Sequence, residues 1–280
     1  MIRTDLAIET REISGECQGV SSENINFGSV EIDRTKILNE IGAEKIGKPI
    51  GNYVTITCKG FSPDDMDGDL HSAIKSELKK LLGERKLVLV AGLGNNDITP
   101  DALGPKVASL IFATRHIKEE MAKMLGFKDL KGVEVVTPGV LGQTGMEASE
   151  LILAAVKETN PDAVIVIDAL AAASPKRVGK TVQITDSGIC PGSGVGNSRK
   201  EISQKVLGVP TIAIGVPTVV DADTFIENEG YQVPNREEKL MVTPRDIDSI
   251  IEYSAKTIAH AINSALQPSI SSSVLLSLCL

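Results

Sequence analysis

The sequence predicts an α/β protein: a doubly wound, largely parallel sheet with helices on both faces, carrying a small α+β elaboration at its N-terminus. Three runs, KLVLVAGLGN (86–95), AVIVIDAL (163–170) and VPTIAIGVP (209–217), are apolar almost throughout, the pattern of parallel strands buried on both faces. Segments with helical periodicity separate them, and strands that alternate with helices build parallel sheets through crossover connections. With 280 residues the chain buries roughly three quarters of its unfolded surface, so such a core needs no disulfides.

Taken in order, residues 1–27 are polar and weakly periodic and are expected to form an extension, mobile or packed on the body as an arm. Val30-Glu31-Ile32-Asp33 and the run Tyr53 to Cys58 alternate apolar and polar residues, as half-buried strands do. Between them ILNEIGAEKIG (37–47) reads as a short helix stopped by Gly47. Residues 69–83 carry Leu70, Ile74, Leu78 and Leu81–Leu82 on one helical stripe closed by Gly83. Beyond the 86–95 strand, residues 103–124 and 146–159 are helical in pattern, VEVVTP (133–138) is a strand and VQIT (182–185) a short one. Residues 244–266 form a long amphipathic helix with Pro244 near its start. The reading is an α/β core over 85–266, an N-terminal arm and α+β elaboration over 6–84, and a Ser-rich tail over 267–280, together one domain.

Composition narrows the function classes. The charge balance is 29 − 37 = −8, the wrong sign for a nucleic-acid-binding surface. Three Tyr, five Phe and no Trp leave little to stack against bases or sugars. Cys17, Cys58, Cys190 and Cys279 are widely spaced without a CxxC pair, as in a reducing compartment and unlike a zinc site. The N-terminus is charged where a signal peptide is apolar, and no run approaches 18 apolar residues. The expectation is a soluble cytoplasmic protein with no membrane or direct nucleic-acid partner, no cofactor and no metal.

Ligands of open α/β sheets bind beyond the carboxyl ends of the strands, so polar residues that follow a strand are the candidates. After the first buried strand comes Gly92-Leu93-Gly94-Asn95-Asn96-Asp97-Ile98-Thr99-Pro100-Asp101. Asp97 stands where a dinucleotide turn needs its third glycine and would repel a pyrophosphate. The turn can instead present Asp97 and Asp101, although Asp101 also suits a helix cap. Asp168 closes an apolar strand, where a carboxylate is costly unless paired, hydrogen-bonded or protonated. Burial would raise its pKa, which is how active-site acids are tuned; capping the next turn is its plainer role. Two glycine-rich loops follow other strands: 138–147, with Gly139, Gly142 and Gly145, and 190–200, with Gly192, Gly194 and Gly196. Their backbone N–H groups could hold substrate or an oxyanion. His71, His116 and His260 all fall in helical stretches, so a Ser-His or Cys-His mechanism lacks a base. Strand-end carboxylates remain, and two acids sharing one proton can activate water.

The segments GLGNNDITPDALGPKV (92–107), TRH (114–116), PGVLGQTGMEASE (138–150), VIVIDALAA (164–172), 184–203 and LGVPTIAIGVPTVVDA (207–222) strongly resemble the germination protease family of spore-forming bacteria, as do RTDLAIE near the start and MVTP near the end. The resemblance covers most of residues 3–266. It implies an atypical aspartic endopeptidase, similar in fold to hydrogenase maturation proteases, that degrades small acid-soluble spore proteins during germination. It also implies a homotetramer in the forespore and spore core, with catalytic acids at Asp101 and Asp168. The family is made as a zymogen that trims its own N-terminus at a site resembling its substrates' Thr-Glu-Phe/Ile-Ala-Ser-Glu, cut after the first Glu. Thr4-Asp5-Leu6-Ala7-Ile8-Glu9 has the same plan, so cleavage is expected between Asp5 and Leu6, releasing residues 1–5 as propeptide. This sequence departs from the family in its short propeptide, its shortened 222–241 region, Cys190 where relatives commonly carry His, and SPKRV (174–178). Two other readings stand beside this one: a catalytically silent binding protein of the same fold, and a metal-dependent peptidase using the same carboxylates.

Overall fold

The computed structural model describes residues 4–15, 17–124, 126–197, 199–228, 230–231, 233 and 240–279. Its N-terminal part holds α1 (Ala7–Ser14), β1 (Val20–Phe27), β2 (Val30–Ile37), α2 (Glu40–Ile46), β3 (Gly51–Thr57) and α3 (Asp69–Leu82). The α/β part continues with β4 (Leu87–Gly92), α4 (Leu103–Ser109), α5 (Glu119–Met124), β5 (Gly132–Val136), α6 (Leu141–Thr144), α7 (Ala148–Thr159) and β6 (Ala163–Ala172). It closes with β7 (Thr181–Thr185), α8 (Gln204–Leu207), β8 (Thr211–Asp221), α9 (Ala222–Asn228), β9 (Met241–Val242), α10 (Ile247–Leu266) and α11 (Ser272–Cys279).

All nine strands among the described residues join one sheet in the order β1-β2-β3-β7-β8-β6-β4-β5, with β9 paired to β8. The block β8-β6-β4-β5 is parallel. From β8 outward through β7, β3, β2 and β1 the pairing is antiparallel, so the N-terminal elaboration extends the sheet of the α/β part. Alternation along each strand divides two layers of core. Ile165 and Ile167 of β6, Ile214 of β8 and Ile56 of β3 face Leu70, Ile74 and Leu78 of α3 and Ile258 and Ile262 of α10. Val164 and Val166 of β6 and Leu89 of β4 face the other way, against Ile152 and Val156 of α7 and Leu207 of α8. Asp168 belongs to this second set by parity.

Three expectations change. Residues 20–27 are an edge strand whose polar side chains stay largely exposed, which hides its period. The helical stretch 103–124 is broken after α4 by a distant amide: Asn263 of α10 accepts the Phe112 N–H at 2.9 Å and donates to the Leu110 C=O at 2.9 Å. Local sequence carries no trace of that cap. The tail folds as α11 and buries Leu275 completely.

Helix α4 approaches the sheet so closely that a Cβ on Gly104 would lie 2.2 Å from the Leu93 carbonyl oxygen and 2.6 Å from that of Ile167. Both obstacles are backbone. Gly104→Ala is therefore expected to cost on the order of 3 kcal/mol or more, measured by urea unfolding; an unchanged midpoint would contradict this packing.

Candidate active site

The first acid is positioned by the loop after β4. Gly94 takes φ +111°, and a Cβ there would sit 2.0 Å from the Asp101 carbonyl oxygen, so only glycine lets the loop fold back on itself. The fold-back puts the Asn95 N–H 2.7 Å from Asp101 Oδ2, in the single turn Thr99–Asp101 that precedes α4. Asp97 is exposed, its N–H bonded to Asn95 Oδ1 at 3.0 Å. Position in the fold thus separates two acids that spacing could not.

The second acid is Asp168, 5% exposed and inside β6 rather than closing it, since the strand runs on to Ala172; its Oδ1 accepts the Ala169 N–H at 3.0 Å. Asp101 and Asp168 line one groove of about 430 Å³, with Leu93, Gly139, Val140 and Gly192 also on its walls. Among the described residues no cation pairs with either acid. Burial pushes the Asp168 carboxyl well above its usual range, and the charges of Asp101 and Asp5 push in the same direction. Burial also raises Asp101, opposed by the Asn95 N–H. The neutral form is thus favoured more strongly at Asp168 than at Asp101, whose carboxylate has the Asn95 N–H.

The N-terminal segment supplies part of the wall of this groove through Asp5. Asp5 lines it beside both acids, and the segment Thr4–Glu9 is tied down at nearly every residue. The Asp5 N–H donates to the Ala171 C=O at 2.9 Å; its carboxylate accepts from the Ala171 N–H at 2.9 Å and the Ser193 hydroxyl at 2.7 Å. A Cβ on Gly194 would lie 2.3 Å from that carboxylate, so the glycine makes room for the acid. Leu6 is fully buried among Leu170, Ala172, Val178 and Val220. Gln183 donates from Nε2 to the Asp5 C=O at 3.1 Å and accepts the Ala7 N–H at Oε1 at 2.8 Å. Glu9, also buried, accepts from the Ala173 and Ser174 N–H groups at 2.8 Å each and from the Thr4 hydroxyl. The half-buried ammonium of Lys48 reaches the Thr4 C=O at 3.0 Å. Residues 1–3 of the expected propeptide lie outside the described residues.

The six glycines separate. Gly139 and Gly192 line the groove and Gly194 touches Asp5, while Gly145 and Gly196 cap short helical turns in left-handed conformation and Gly142 has open space around it. The donors that hold the segment come instead from Ala171, Ala173, Ser174, Ser193 and Gln183. Ser193 lies in the 190–200 loop but contributes its hydroxyl rather than a glycine N–H. Ala171, Ala173 and Ser174 act through backbone at and just past the end of β6, and Gln183 lies in a short strand whose alternation looks only structural. His116 is exposed. His71 and His260 belong to α3 and α10, on the opposite face of the sheet, and with Asp67 form a group of potential metal ligands. Their rings stack 4.5 Å apart and 19° from parallel, so no single ion can lie in both ring planes.

A model of the family described as germination protease matches residues 2–231. The germination protease of Clostridium perfringens is 41% identical, over 95% of this chain and 95% of that one. That of Caldanaerobacter subterraneus is 42% identical over 95% and 94%, and that of Priestia megaterium 35% over 95% and 93%. Among solved structures, a NiFe hydrogenase maturation protease, HycI from Thermococcus kodakarensis, matches with a TM-score of 0.38 and 17% identity, over 66% of this chain and 98% of that one.

The electrostatics give a test without an assay. Folding raises the Asp168 pKa, so its contribution is complete below about pH 4 and is lost as pH rises through the folded value. Asp168→Asn keeps the shape and removes the charge. The variant should melt above the wild type at pH 7, by about 2 °C for each kcal/mol relieved, with the gap closing toward pH 4. A variant less stable at neutral pH would refute the burial argument.

Proposed function

The chain belongs to the germination protease family, a family of spore-germination endopeptidases, and from that premise we propose that Asp101 and Asp168 activate a water against the bond between Asp5 and Leu6. The observation that carries the reading is Asp5, the residue before the expected cut, lining the same groove as both acids. In the step, Asp101 as carboxylate takes a proton from the water, whose oxygen bonds to the Asp5 carbonyl carbon while the π pair moves to the carbonyl oxygen. Collapse of this intermediate breaks the C–N bond, and Asp168 gives its proton to the Leu6 nitrogen. Return of the proton from Asp101 to Asp168 restores the pair. The products are a carboxyl on Asp5 and an amine on Leu6.

The same groove accounts for the substrate class. Small acid-soluble spore proteins cut in a Thr-Glu-Phe/Ile-Ala-Ser-Glu plan present an acid, a large apolar residue and a second acid at the spacing of Asp5, Leu6 and Glu9. The first acid meets Ser193 and the Ala171 N–H, the apolar side chain enters the Leu6 pocket, and the second acid meets the Ala173 and Ser174 N–H groups near Arg177. Self-cleavage leaves Leu6–Glu9 attached, so a substrate protein must displace this end from the groove. The reading includes a zymogen, a spore-core location and a homotetramer. A silent binding protein would not need both acids, which are present.

A peptide carrying Thr-Glu-Phe-Ala-Ser-Glu is expected to be cut once, after the first Glu, equally with and without chelator. Asp101→Asn and Asp168→Asn should each lose about 10³-fold or more in kcat/KM. Loss of cleavage with chelator would make the acids metal ligands, and wild-type rates in either variant would remove them from the chemistry.

A further inference from the structure

Gln183 stands in a row with Asp168. Gly215 of β8 pairs with Asp168 on one side and with Gln183 on the other, so the two side chains leave the same face of the sheet two strands apart, about 10 Å between backbones. Gly215 puts no side chain between them; a Cβ there would lie 2.5 Å from Leu170 Cγ, which fills that position. Asp5 and Leu170 line both the groove of the two acids and a second cavity, of about 210 Å³, that reaches Gln183. The segment therefore crosses the interval between Asp168 and Gln183.

Its bonds there are directional. The Asp5 C=O can only accept and the Ala7 N–H can only donate, so the amide of Gln183 has one orientation, Nε2 toward the carbonyl and Oε1 toward the N–H. The bond between Asp5 and Leu6 lies between these two anchors. Gln183 is 6% exposed, so its amide acts where water does not compete. The Leu6 N–H is meanwhile held by the Thr4 hydroxyl at 3.0 Å, within the segment itself.

We propose that Gln183 is a catalytic residue of this peptidase: its Nε2–H grips the carbonyl oxygen of the residue before the scissile bond and stabilises the negative charge that forms there, while Oε1 fixes the register of the residue two beyond. This rests on the reading that Asp5–Leu6 and its substrate equivalents are the bonds cut. The charge on that oxygen grows only as water adds, so the bond is stronger in the transition state than in the bound substrate. A preorganised donor of this kind is commonly worth about 10²-fold or more in kcat. The glycine-loop N–H groups are then not required for that role.

The test uses the full chain and the peptide carrying Thr-Glu-Phe-Ala-Ser-Glu. Two replacements of similar size, Gln183→Glu and Gln183→Met, are compared with wild type and Asp101→Asn in kcat and KM, with melting temperature as the check on folding. Both should lower kcat about 10²-fold with a much smaller change in KM. Gln183→Glu should recover part of its kcat as pH falls and its carboxyl becomes a donor, and Gln183→Met should not. By contrast Ser193→Ala, which touches only the acid side chain, should act mainly on KM. If Asp101→Asn abolishes cleavage while both Gln183 variants stay within threefold of the wild-type kcat, the inference falls and the peptidase reading stands. If the wild type does not cut the peptide, both fall.

Discussion

Asp168 occupies the one position on β6 where the apolar pattern of the strand breaks, and it does so where water cannot solvate a charge. A carboxylate in such a place must find a cation, collect hydrogen bonds or keep its proton. Here there is one backbone N–H and two further acids nearby, so burial and those charges raise its pKa and favour the neutral form. That constraint orders the surroundings. Asp101 reaches the same groove through the fold-back at Gly94 and the tight seat of α4 on the sheet at Gly104. The glycines of the GLG turn and of α4 thus let both carboxylates line one groove.

The antiparallel half of the sheet supplies a floor for the N-terminal segment, which is extended at Leu6 and turns into α1 from Ala7. Asp168, Gly215, Gln183, Thr55 and Asp33 form one row across β6, β8, β7, β3 and β2. Where α7 and α8 cover β6 and β4 the face is apolar, and beyond them it is polar or small. The N-terminal segment lies across this polar stretch, from Asp5 beside the acids to Arg11, whose guanidinium reaches Asp33 at 2.6 Å. Its buried carboxylates, Asp5 and Glu9, are satisfied largely by backbone donors that any acid at those spacings could use. The acids and the apolar side chain of the N-terminal segment thus sit at the spacing set by these donors and the Leu6 pocket.

Much of this was legible in the sequence, for physical reasons that also explain what was not. Strands buried on both faces have no alternation to lose, so 86–95, 163–170 and 209–217 announced themselves. Gly47 and Gly83 ended their helices where expected, at positive φ. Asp168 was visible because an acid in an apolar strand is costly. Asp101 and Asp97 looked equivalent because their difference lies in a three-dimensional fold-back. Gln183 was invisible for the opposite reason: in Val182-Gln183-Ile184 a polar residue between two core residues is what any half-exposed strand shows. Only the segment lying over it makes that position buried. The break after α4 depends on Asn263, more than 150 residues away in sequence, and no local pattern records it.

The proposed function requires that the bond after Asp5 be cut at the groove Asp5 lines and that Asp101 take part in the cut. Intact-mass measurement of the freshly folded wild-type chain beside Asp101→Asn tests both parts at once. The account predicts that the wild type loses residues 1–5 and begins at Leu6, while the variant keeps its full mass under the same conditions. Processing of the variant at the wild-type rate, or a wild-type N-terminus at any residue other than Leu6, would contradict it.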